Sequence, residues 1–208
     1  MDREEFEIDL SMFTSRGKAL ALASEGCPKD YSKIAQEYFE IRSDIFPESM
    51  VFFACISRAR GLHEGIFNAI LKNNPHATFP LIRAYAELIT VIIYSLKKPN
   101  YLSRLSGIGL ESGRGTVPFG QMFEEISDEA PGMASVYHQL SEYSHFRELA
   151  IYNVHKTDET NPFKFSWTDT PNWKSEKEFY IACAQLRELS IAGRTYLRRF
   201  NTELIPKA

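Results

Sequence analysis

The stretch LIRAYAELITVIIYSL, Leu81 to Leu96, is apolar on nearly every face, yet it carries Arg83 and Glu87 one helical turn apart. A helix that is hydrophobic all round is stable in water only when its neighbours enclose it, so this segment is expected at the centre of a helical bundle. Projected at about 3.6 residues per turn, Arg83, Glu87, Thr90 and Tyr94 fall on one stripe. A polar stripe on an enclosed helix must meet polar groups. Either Arg83 and Glu87 form an ion pair that ties helices together, or the stripe lines a cleft of the kind in which bundles build their sites.

Proline and glycine punctuate the chain into long helical patterns. Helices are expected at Ser11 to Glu25, Asp30 to Phe46, Glu48 to Lys72, Pro75 to Lys97, Phe119 to Ser127, Pro131 to Phe146 and Ser175 to Leu204. Asp30 offers an N-cap, and Ser175 with Glu178 three residues later has capping-box spacing. Asn73, Asn74 and Pro75 leave a short connection, so the helices on either side should pack antiparallel. The run ELAIYNVH, KTDETNP, FKFSW has β-branched and aromatic residues around a polar turn region, which predicts a short β-hairpin before the last helix. The expected fold is mainly α: a single-domain helical bundle of about six to seven helices over the 208 residues, with residues 1–47 a helical extension and 48–208 the core bundle.

The bulk numbers narrow the function. The 24 basic and 27 acidic residues nearly cancel, so no global field drives nucleic-acid binding, and any RNA contact would come from a local patch. Cys27, Cys55 and Cys183 are widely spaced and include no Cys-x-x-Cys pair, so neither a disulfide framework nor a cysteine metal site is expected. The N-terminus is acidic, unlike a secretory signal, and no run of about 18 uncharged apolar residues occurs. A cytoplasmic protein with no membrane association is expected.

A second stripe could face the first. In SVYHQLSEYSHFRE, Tyr137, Ser141, Ser144 and His145 share a face near a helix end. An imidazole there could act as acid or base near neutral pH, since its ordinary pKa is about 6.5. Ser144 and His145 are adjacent and point about 100° apart, which argues against a nucleophile and base pair formed by the two alone. A third group, Arg58, His63 and Glu64 in SRARGLHEG, places a cation and two titratable groups within two turns. The glycines of GIGLESGRG follow a helix rather than a strand and read as a mobile loop that could cover a pocket. His138, Glu142, His145, His63 and Glu64 lack the repeated Glu-x-x-His pattern of bundle metal sites, so no metal and no cofactor is expected. RTYLRRF, Arg194 to Phe200, is read as the solvated end of a helix, with phosphate contact as the alternative.

The four-residue gap between Arg58 and His63 resembles the motif of the HEPN superfamily. The order HEGIFNAI, LIRAYAELI, LSEYSHF, hairpin and long last helix is similar to uncharacterised bacterial helical-bundle proteins related to that superfamily. The resemblance covers about Ser57 to Leu204. It implies a bundle with a polar pocket and a role in stress or phage defence, while the HEPN motif by itself implies a tendency to form homodimers and a metal-independent ribonuclease or toxin-like activity. On that reading His145, Arg83, Glu87, Ser141, Ser144 and Tyr94 form the expected catalytic face, with Arg58, His63 and Glu64 as an alternative. The competing reading is a non-enzymatic binding or assembly module whose protein partner is unknown and whose buried polar residues are structural.

Overall fold

The computed structural model describes residues 9–25, 27, 29–106, 117–144, 155–158, 161–167 and 170–206. Among them the chain is mainly helical. Eight helices lie among the described residues, in order α1 (Arg16–Ala23), α2 (Lys29–Ile41), α3 (Pro47–Leu71), α4 (Pro75–Lys97), α5 (Tyr101–Ser106), α6 (Phe119–Glu125), α7 (Met133–Ser144) and α8 (Glu176–Glu203). Between α7 and α8 lie two short strands, β1 (His155–Asp158) and β2 (Asn161–Trp167). They pair antiparallel, His155 opposite Trp167, with an irregularity between Thr157 and Asp158.

α4 is the axis of the bundle, and α3, α5, α6, α7 and α8 all pack on it. It is the one described helix long and apolar enough to cross a membrane, and 61% of its most apolar window is buried by the other helices. Its start is set locally. Lys72 caps α3, Asn73 takes a left-handed conformation at φ 53°, and the Asn74 side chain accepts from the Ala77 N–H at 3.1 Å. Pro75 then opens α4, where a missing N–H costs nothing. The turn reverses the chain, and α3 and α4 pack along their lengths.

The N-terminal helices contribute Ala19, Ala23, Tyr31, Ile34 and Tyr38 to the same buried cluster. Tyr31 meets Tyr85 of α4 hydroxyl to hydroxyl, and burial raises the pKa of both phenols. This packing requires Gly193 of α8, where a Cβ would stand 3.0 Å from the Tyr31 hydroxyl and 3.1 Å from Ile89 Cδ1.

Several boundaries differ from the sequence expectation. α1 begins at Arg16 rather than Ser11, because the Ser15 hydroxyl caps it by accepting from the Lys18 N–H at 3.3 Å. α2 begins at Lys29, so Asp30 lies in its first turn and is ion-paired with Arg194 instead of capping the helix. α2 ends at Ile41 rather than Phe46. Phe46 precedes Pro47 and is extended (φ −95°, ψ 161°), as the proline ring requires of its neighbour. Two further bonds fix that corner: the Tyr38 hydroxyl donates to the Asp44 carbonyl at 2.6 Å, and the Phe46 N–H donates to Ser49 Oγ at 3.0 Å. The short α5 was not expected from sequence.

Arg42, just past α2 and only 3% exposed, is the most heavily bonded buried side chain among the described residues. Its guanidinium donates to Asn201 Oδ1 at 2.7 Å and to the carbonyls of Asn201 (2.6 Å), Ile205 (2.9 Å) and Pro206 (2.7 Å). A cation thus satisfies the open carbonyls at the C-terminus of α8, where the helix dipole favours positive charge.

Candidate functional site

Arg83 and Glu87, on successive turns of α4, are paired at 3.2 Å and partly exposed. The Arg83 Nη2 donates to the Tyr137 hydroxyl of α7 at 2.7 Å, and its guanidinium carbon lies 4.8 Å from the Tyr137 ring centre. Tyr137 in turn stacks on Phe119, their ring centres 5.7 Å apart. The polar stripe therefore does meet a group on α7. Farther along α4 it closes over. Thr90 donates back to the Ala86 carbonyl at 2.9 Å, and Tyr94 is buried edge-to-face against Tyr101 of α5. These two side chains serve packing.

Glu87 and Phe119 belong to the wall of a cavity of about 480 Å3 between α3 and α4. Most of that wall is apolar, including Val51, Ala54, Leu88, Val91 and Leu105. Arg58 of α3 also lines it. Arg58 is exposed and makes no hydrogen bond or ion pair among the described residues, whereas Glu87 is held by Arg83. Among the described residues the cavity thus has one uncommitted cation beside a neutralised carboxylate. Cys55 lines the same space, and burial pushes its thiol up to about 12, so it is not a thiolate nucleophile near neutral pH.

The structure joins one residue from each of two of the three sequence groups, Arg58 and Glu87, and separates Arg58 from His63. Five positions along a helix turn the side chain by about 140°. His63 is 3% exposed and lies near Arg194 rather than in the cavity. Burial first, and Arg194 second, depress its pKa to about 4, so it is neutral at physiological pH. Glu64 pairs with Arg60 at 2.9 Å on the surface. Ser141 donates back to the Tyr137 carbonyl at 2.8 Å. Only the backbone of Ser144 is described, and His145 and the glycine loop 107–115 lie outside the described residues.

The arginines of RTYLRRF are all engaged. Arg194 pairs with Asp30, Arg198 with Glu37 at 3.1 Å, and Arg199 with Glu129 at 2.6 Å and Glu203 at 2.8 Å. They tie α8 to its neighbours instead of forming an open phosphate patch. Among the described residues no three His, Cys, Asp or Glu side chains are gathered as a metal centre would need.

Fold and cavity together define a helical bundle with an apolar inter-helix pocket and a cationic rim. No protein-family model, curated protein or solved structure matches the chain.

Proposed function

We propose that the chain is a non-enzymatic binding module whose α3–α4 cavity takes an elongated, mostly apolar ligand with one negative charge. The observation that carries this reading is Arg58, a guanidinium with no partner among the described residues, at the edge of an apolar cavity whose other charged wall residue is already neutralised. The cavity's size lies within the range of small-molecule sites, roughly 300 to 1,000 Å3. Each methylene buried from water is worth about 0.8 kcal/mol, which would supply affinity, while a guanidinium–carboxylate contact would fix orientation.

The RNA-cleaving role implied by the HEPN resemblance would need Arg58 with His63, or Arg83 with His145, at one phosphate. The neutral, sealed His63 favours a packing role for that residue.

Calorimetric titration with decanoate and with decylammonium tests the proposal on the parent and on Arg58→Ala. Decanoate should bind the parent, bind Arg58→Ala several-fold more weakly, and be preferred over the cation. Equal binding of both amphiphiles would sink the charge argument. Cleavage of a mixed RNA pool by the parent, lost in His63→Ala or His145→Ala, would replace this reading with the ribonuclease.

A further inference from the structure

α7 and α8 both pack on α4 but scarcely touch each other. Two cavities lie along the seam between them, one of about 590 Å3 and one of about 280 Å3. Gln185 of α8 lines both. It is 5% exposed, and its Oε1 accepts no hydrogen bond among the described residues. A primary amide both donates and accepts, and stranding it in an apolar interior costs stability that leucine at the same position would not. Such a residue points to a ligand, because polar groups that a fold leaves unsatisfied gather where function requires them.

The two chambers differ in chemistry. The larger is lined mostly by apolar side chains, Phe13, Ile93, Met133, Val136 and Leu189 among them, with Asp9, Glu129, Arg187 and Glu188 also in its lining, and the smaller has Ser175, the N-cap of α8, and Lys177 in its first turn. We infer that this trough binds an uncharged acyl amide, with its alkyl chain in the larger chamber and its polar end toward Ser175. The ligand amide lies against Gln185 with its N–H donating to Oε1, while its carbonyl, anti to that N–H in a trans amide, points away from the Gln185 side chain. This site is separate from the α3–α4 cavity and selects by hydrogen bonding rather than charge.

The probes are N-(2-hydroxyethyl)decanamide and 2-hydroxyethyl decanoate, which differ only in an amide N–H against an ester oxygen. Calorimetry on the full chain should show the amide bound about tenfold tighter than the ester, the worth of one buried hydrogen bond. Gln185→Leu should bring the two within about twofold of each other, while its ligand-free unfolding midpoint equals or exceeds the parent's. Val136→Trp, which fills the larger chamber, should abolish amide binding. The inference is overturned if the parent shows no preference, if Gln185→Leu keeps it, or if Val136→Trp binds normally. It is equally overturned if Gln185→Leu unfolds or is markedly destabilised, since the amide would then serve the fold.

Discussion

Arg83 on α4 donates to the Tyr137 hydroxyl on α7 at 2.7 Å while its Nε faces Glu87 at 3.2 Å, so one guanidinium joins two helices at the edge of the cavity. Arg83→Ala should leave the Tyr137 hydroxyl without its donor and Glu87 without its counter-charge, and cost about 1 to 3 kcal/mol in urea unfolding. Tyr137→Phe removes a single bond and should cost about 1 kcal/mol. In a double-mutant cycle the two losses should add to more than the double variant shows, since they share one contact. Strict additivity would mean that the contact contributes nothing.

Arg42 should matter more, because four acceptors at the end of α8 depend on it. Arg42→Ala is expected to lower stability by about 3 kcal/mol or more, the scale for removing one partner from a buried charged network. Arg42→Lys should recover only part of this, since an ammonium lacks the planar fork that reaches several carbonyls. Hydrogen exchange would place the damage: amides of the last turns of α8 should lose protection first. Uniform loss along the helix would contradict a capping role.

His63 gives the fold a pH dependence whose sign is fixed. Its pKa is depressed from 6.5 to about 4 in the folded chain, so the unfolded state binds a proton that the folded state refuses. The stabilisation is complete above pH 6.5 and is lost as pH falls toward about 4, by at most on the order of 3 kcal/mol. Comparing urea unfolding at pH 7.5 and 5 for the parent and His63→Leu isolates the effect, about 2 kcal/mol at that interval. The parent should lose more stability than the variant. An identical loss in both would assign the dependence to other groups.

How far the sequence could be read depended on whether a signal was local. The enclosed α4, the reversal at Asn73 and Asn74, and the Ser175 cap follow from composition and short-range chemistry, and all are visible in the chain itself. The Arg83–Glu87 stripe announced a polar neighbour because charge on an otherwise apolar helix needs one. The neighbour, Tyr137, could be placed on its helix but not singled out from Ser141. Arg42 looked like an ordinary charge near a helix end, since its acceptors lie about 160 residues away at Asn201, Ile205 and Pro206. The six residues of α5 were too few to show periodicity. Arg58 and His63 looked like a pair on spacing alone, and the helix sends them to different faces. Gln185 carried a faint signal, an amide within the apolar run of Ala182, Cys183, Leu186 and Leu189, that only the cavities around it make meaningful.

The most direct measurement of the central claim is an NMR titration of the isotope-labelled chain with decanoate, followed at backbone amides. Saturable shifts should cluster at Val51, Ala54, Arg58 and Val91 around the α3–α4 cavity, and Arg58→Ala should weaken them together. Shifts confined to other surfaces, or none at concentrations that saturate a fatty-acid site, would contradict the account.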